Sequence, residues 1–223
     1  MGLFNLFKRK QRKCYYYSEA EQLEYESFIE TTFGSYKEVL HEIVSPDIHL
    51  DIIPVPPTDE EPYYKLITMG MGAFPMNVPA QLKEQELEHA ELVIYLPPDW
   101  NIQSQDQKDF WPIYFLKVLG RLPINYNTWL GFGHTIQANE DKSPFAENTK
   151  LNNILLLYAT DYNSDPLELR LSTNKKINFY QVFPIYQEEL EFKSSHSAEE
   201  LLERFDEDSR DLVLNINRKN FGV

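Results

Sequence analysis

The longest unbroken apolar runs of this chain are strand-sized, and that limits what it can fold into. Ala90-Glu91-Leu92-Val93-Ile94-Tyr95-Leu96 is stopped by Pro97-Pro98-Asp99-Trp100, and Ile154-Leu155-Leu156-Leu157 sits between Asn153 and Tyr158. Both fall far below the roughly 18 residues needed to cross a bilayer, so no integral membrane segment is expected. Each reads instead as a strand buried in a sheet.

Helical and strand periods then mix without regular alternation. Ser18 with Glu21 forms a capping box, and Tyr25, Phe28, Ile29, Thr32 and Phe33 recur at helical spacing, which predicts a helix over 19–33. Residues 39–44 and 48–53 read as two strands joined at Ser45-Pro46-Asp47. In the second, Ile48, Leu50 and Ile52 share one face, while His49 and Asp51 share the other. Seven of the 14 prolines lie between Pro46 and Pro79 and bracket another strand, 63–69, and these segments read as edges, turns and strand ends. Gly70 and Gly72 flank Met71, and spending two of only eight glycines there implies unusual backbone angles or a close approach. Residues 84–88 look helical, and a long helix is expected from about Phe110, with Pro112 in its first turn and Pro123 as its stop. Further strands are read at 153–158, 167–171 and 177–183, helices at 184–192 and 198–205, and a closing strand carrying Leu212, Leu214 and Ile216. The pattern predicts an α+β fold with a mixed or antiparallel sheet and packed helices. At 223 residues, with 42% apolar and 14% aromatic side chains, the chain suits one domain over 18–223 behind a flexible basic leader, 1–17.

The formal charge is −14, yet five of the 21 basic residues fall within 8–13, so the remainder carries −19. Such a body lacks the cationic surface that nucleic acid requires and suits a basic protein partner. The leader could make weak contact with anionic lipid. A lone cysteine, Cys14, offers neither a disulfide framework nor a thiolate cluster, and a reducing, cytoplasmic setting is expected.

No constellation announces catalysis. The five histidines, His41, His49, His89, His134 and His196, never stand at the spacing of a helical zinc site, and there is no nucleophile elbow or phosphate-cradling loop. His49 with Asp51 could supply half of a metal site, and Gly131 and Gly133 would let His134 be exposed. No cofactor, no metal and no catalytic residue is therefore expected.

Several strings together resemble the suppressor of fused domain in its bacterial form. They are His49-Leu50-Asp51-Ile52 through Pro56-Pro57-Thr58, Tyr64-Lys65-Leu66-Ile67-Thr68-Met69-Gly70-Met71, and Pro75-Met76-Asn77-Val78-Pro79. The β-run 90–97, Trp111-Pro112, Gly133-His134-Thr135-Ile136 and Pro184-Ile185-Tyr186-Gln187-Glu188-Glu189-Leu190 follow in the family's order, so the resemblance spans about 20–220. It implies a non-enzymatic protein-binding module. Bacterial members look like immunity proteins, or antitoxins, that block a basic toxin effector such as a nuclease. An adaptor that sequesters a host protein is the first alternative, and a metal-dependent hydrolase built on His49, Asp51 and His134 is the second. The face implied for a partner carries His49, Asp51, Thr68, Met69, Asn77 and His134, with Tyr63 and Trp100 as aromatic anchors. Residues 63–69 could also pair with an extended partner segment if they lie at a sheet edge.

Overall fold

Strand β3 (Ala90–Leu96) is buried at every position because helices cover both faces of the sheet around it. The computed structural model describes residues 13–161, 163–205 and 213–223. In chain order its elements are α1 (Glu19–Thr32), β1 (Asp51–Val55), β2 (Tyr64–Met69), β3, α2 (Gln107–Tyr126), β4 (Thr135–Gln137), β5 (Asn153–Tyr158), β6 (Glu168–Arg170), β7 (Lys176–Ile185), α3 (Gln187–Ser195) and α4 (Ala198–Glu203). The sheet runs β1-β2-β3-β7-β5-β4, and β6 adds beside the start of β7. Among the described strands only β3 and β7 pair in parallel, so the chain between them must cross over, and it lays α2 on one face as it does so. The α+β class and the mixed sheet agree with the sequence.

Alternation sorts the side chains into two layers. Leu50, Ile52, Leu92, Ile94 and Tyr180 pack beneath Trp111, Leu116 and Leu119 of α2. On the opposite face, Ile53, Ile67, Val93 and Phe179 meet Tyr25, Ile29 and Phe33, and farther along Leu155, Phe183 and Ile185 meet Ala198, Leu201 and Phe205. The α1 cap forms as its sequence requires: Ser18 Oγ accepts from Glu21 N–H, and the Glu21 carboxylate accepts from Ser18 N–H.

Several expectations are corrected. Strand β2 lies between β1 and β3, so residues 63–69 are not a sheet edge. Residues 39–44 form no strand. Only Leu40 bridges to Ile52, because Asp51 Oδ1 takes the Glu42 N–H at 2.8 Å and diverts the backbone from the ladder. The expected helix at 84–88 is a 3₁₀ turn over Ala80–Gln85, ended by Glu86 at φ 53°. Helix α2 starts earlier, behind the Asp106 cap, and runs through both prolines. Pro112 has no N–H to give to the Lys108 carbonyl, and Asn148 Nδ2 donates there at 3.2 Å instead. Strand β7 extends to Ile185, which delays α3. The closing strand shrinks to one bridge, Val213 to Tyr95, with Leu214 N–H on the Tyr95 carbonyl at 2.9 Å. Leu212 and most of the basic leader, 1–12, lie outside the described residues. The folded body begins before Ser18, since Tyr15 bridges Ile48 and the Tyr17 ring is buried.

The carboxyl-terminal segment is fastened by a buried ion pair. Arg218 places Nη1 and Nη2 each 2.6 Å from an oxygen of Glu189 and donates to the Pro184 carbonyl at 3.0 Å. The N–H groups of Tyr186 and Phe221 complete the carboxylate's acceptor sites. Removing one partner of such a pair strands the other charge in the core. Arg218→Ala should therefore lower the unfolding free energy by about 3–5 kcal/mol in urea titrations, far more than truncation of a surface arginine.

Candidate protein-binding surface

His49 and Asp51 share a face, as period-two alternation requires, and the fold turns that face into the hub of a polar cluster at the β1 edge. Asp51, 2% exposed, accepts from His41 Nδ1 at 2.9 Å and from the Glu42 N–H, and His49 Nε2 stands 3.3 Å from its Oδ2. His49 Nδ1 is 2.7 Å from Ser45 Oγ, which also donates to Glu42 Oε2 at 2.9 Å. Arg121 reaches in from α2, donating to Glu42 Oε2 at 2.6 Å, Asp47 Oδ1 at 3.2 Å and the Ile48 carbonyl at 3.1 Å. The result is a tightly bonded loop over 41–49. Its tip lifts Ile43 and Val44 into solvent at 98% and 74% exposure. The strand expected over 39–44 gives no sign that this pair is a presented contact. Its nearness to Ser45-Pro46 was the only hint.

The other expected residues scatter. His134 precedes β4, the opposite edge of the sheet from β1, and five strand spacings of about 4.8 Å put roughly 24 Å between the two edges. Its ring packs on Trp129 at 4.3 Å, and burial, aided by Lys193, lowers its pKa and favours the neutral imidazole. His49, Asp51 and His134 therefore do not converge. Among the described residues no group of three histidine, cysteine or carboxylate side chains is placed to hold a metal ion. Ser45, His49 and Asp51 do touch in sequence, yet they line none of the cavities of about 630, 410 and 350 Å³. Their bonds fix the loop. Asn77 is exposed and donates to the Asn127 carbonyl at 3.1 Å. Trp100 is half-buried, with Nε1 on the Asp109 carbonyl at 2.9 Å, and Met69 is core.

Thr68 belongs to a buried network that the sequence did not announce. Glu91 of β3 is fully buried without a cation, and it accepts from Tyr17 Oη at 2.8 Å, Thr68 Oγ1 at 2.6 Å, Gly70 N–H at 2.8 Å and Gly72 N–H at 2.9 Å. This contact explains the two glycines. A Cβ on Gly72 would lie 2.2 Å from the Tyr17 hydroxyl, and one on Gly70, held at φ 121°, would lie 1.9 Å from the His49 carbonyl oxygen. Tyr63 stands elsewhere, at the mouth of the 630 Å³ cavity beside the carboxyl end of α1. Its ring meets Tyr95 edge-on at 5.6 Å. Lys65, buried at the cavity wall, donates both to Glu61 and to the carbonyl of Phe33, capping a helix whose last turn has no basic residue of its own.

This is an α+β domain whose polar groups close on one another and whose outward features are an apolar loop tip and an aromatic, acid-rimmed cavity. The chain belongs to the suppressor of fused family: the family described as Suppressor of fused protein (SUFU) matches residues 46–219. It is 26% identical over 209 residues to the uncharacterized protein UU111 of Ureaplasma parvum serovar 3, covering 92% of this chain and 97% of that one. Its fold is similar to a SUFU homolog from Neisseria gonorrhoeae FA 1090, with a TM-score of 0.62, 22% identity and 91% and 97% of the two chains covered. A chain in the Sufu-Fu complex crystal structure gives 0.65 at 14% identity over 91% of each chain. Drosophila Suppressor of Fused gives 0.54 at 17% identity, covering 77% of this chain and 42% of that one.

Glu91 makes the fold pH-sensitive. Burial outweighs its four donors and pushes its carboxyl up to about 7 from 4.5. A raised folded-state value means that the contribution is whole below pH 4.5 and is lost as pH rises through 7, costing about 3 kcal/mol. Glu21 works oppositely at lower pH. Burial opposes its ionisation, but Lys175, the Ser18 backbone and Thr173 outweigh that and hold it at about 2, so its contribution is lost as pH falls from 4.5. Glu91→Gln keeps an acceptor for Tyr17 and both glycines and can donate to Thr68, whose hydroxyl can turn to the Leu92 carbonyl at 3.4 Å. Denaturation midpoints of Glu91→Gln should lose the fall that the parent shows as pH rises toward 7, leaving only the rise contributed by His89 and His134, whose values burial lowers.

Proposed function

We propose that this chain is a non-catalytic binding protein that masks the cationic surface of a toxic effector, in the manner of an immunity protein. The observation that carries this reading is the −19 charge of everything after residue 13. Among the described residues the fold encloses five of those acids, Glu21, Asp47, Asp51, Glu91 and Glu189, while Glu60, Asp99, Glu140, Glu147 and Glu199 are among those that face solvent. An effector that holds phosphates must present lysines and arginines, and a surface of opposite sign steers it into contact. That the Sufu-Fu complex contains the same fold supports a partner of protein nature. Ile43 and Val44 supply an apolar contact on a bonded frame, as interface cores require. No bond is made or broken in this reading, and a cytoplasmic site of action fits a chain with no helix, among the described residues, long and apolar enough to cross a membrane. An adaptor for a host protein would share the fold and differ in partner.

Affinity capture from the native organism, followed by an activity assay of the captured protein, separates the two. A basic enzyme inhibited at one-to-one stoichiometry is expected, and a neutral or acidic partner would sink the immunity reading. The association rate should fall by about tenfold between 50 and 500 mM salt, with a smaller change in dissociation. A rate indifferent to salt would remove electrostatic steering.

A further inference from the structure

The geometry points to the 630 Å³ cavity at the carboxyl end of α1 as the receptor for an arginine side chain of the partner protein. This rests on the reading above and names where one cation of the partner is held. Thr31 and Thr32 bring the carboxyl-terminal turn of α1 to the wall, where the helix dipole is negative and no basic residue of the helix offsets it. Two carboxylates line it: Glu61, whose oxygens are engaged by Lys65 and by the Tyr63 hydroxyl at 3.1 Å, and Asp161.

Lys65, the one cation of the lining, is already spent. Its ammonium serves Glu61 and the Phe33 carbonyl and lies 5.8 Å from the centre of the Tyr63 ring. Asp161 uses Oδ1 for the N–H groups of Asn163 and Asp165, at 2.8 and 3.0 Å, and no described residue is bonded to its Oδ2. A second observation is independent of these acids. Tyr95 is nine-tenths buried, lines the cavity, and its hydroxyl has no hydrogen-bond partner among the described residues. That oxygen is not one of the sealed, unpaired polar atoms of the core, so it opens on the cavity and is free to meet an incoming polar group.

Guanidinium matches this set. It offers five donors and no acceptor, stacks its plane on phenol rings, and sheds water more easily than an ammonium. An acidic peptide would meet two carboxylates and a helix carboxyl end, and an apolar side chain would leave the acceptors dry and unpaired.

The test titrates a capped Gly-Arg-Gly peptide into the full chain while amide NMR signals are followed. Saturable shifts centred on Thr31, Thr32, Thr160 and Asp161 are expected, with affinity about tenfold weaker when citrulline replaces arginine. Tyr95→Phe and Asp161→Asn keep the ring and the Oδ1 acceptor, so both should fold, and each should weaken the peptide by about fivefold. Shifts spread over the whole acidic surface without saturation would overturn the assignment. So would unchanged affinity in both variants, or free arginine binding more tightly than the capped peptide, which would make this a metabolite site. The two proposals fail separately. A chain that blocks a basic effector yet ignores the peptide keeps its function and loses this cavity, and a chain that takes the peptide but captures no basic effector does the reverse.

Discussion

The buried carboxylate of Glu91 is the point on which the arrangement of this domain turns. Four donors from two stretches of chain converge on it: the amino-terminal Tyr17, and Thr68 with the Gly70 and Gly72 amides over 68–72. Without the carboxylate those donors would be buried and unpaired, at about 1–3 kcal/mol each. It also dictates composition at a distance. The chain passes so near to Tyr17 and to the His49 carbonyl that only glycine fits at 70 and 72. The described part of the segment before α1 is thus anchored through the hydroxyl of Tyr17, and Tyr15 bridges Ile48 just ahead of β1.

Three enclosed acids show three ways of tolerating a carboxylate in a core. Glu189 has a guanidinium and two backbone amides, which fill its acceptor sites. Asp51 meets two imidazoles and a backbone amide near the surface, where partial exposure of the histidines softens the desolvation. Glu91 has only neutral donors, and that is why burial dominates and its carboxyl moves toward neutrality. The same residue type therefore locks, frames and sensitises, depending on the company it keeps.

Much of the fold was legible where local pattern and burial agree. Strands β3 and β5 and the start of α1 fall where period and capping place them, because a sheet covered on both sides demands continuous apolar runs and a capping box has one geometry. Errors arose where a distant residue overrules a local rule. Pro112 does not begin the helix, because Asn148 replaces the hydrogen bond it cannot make. The prolines around β2 obey their own rule without making β2 an edge: Pro54 sits in β1, the outer strand, and Pro56, Pro57 and Pro62 stand in the loop between β1 and β2. Of the candidate surface, the shared face of His49 and Asp51 was readable from alternation alone. The clamp of Arg121 on Glu42 and Asp47, spanning 79 and 74 residues, was not, and without it residues 39–44 look like an ordinary strand.

That clamp bears on how an acidic molecule can bind at all. A surface of mobile carboxylates attracts cations but specifies little, since each pair formed in water is worth under about 1 kcal/mol and must also immobilise two long side chains. Specific binding needs part of the surface to be ordered beforehand. Here the ordering comes from charges that cancel inside the fold: Arg121 on the 41–49 loop, and Lys65 across Glu61 and the end of α1. Each uses one basic residue to hold a rigid feature that a partner can touch, an apolar tip in one place and an aromatic cavity in the other. Arg121 and Lys65 are thus drawn inward to build shape, and the excess of acid is left at the surface, where it would guide encounter.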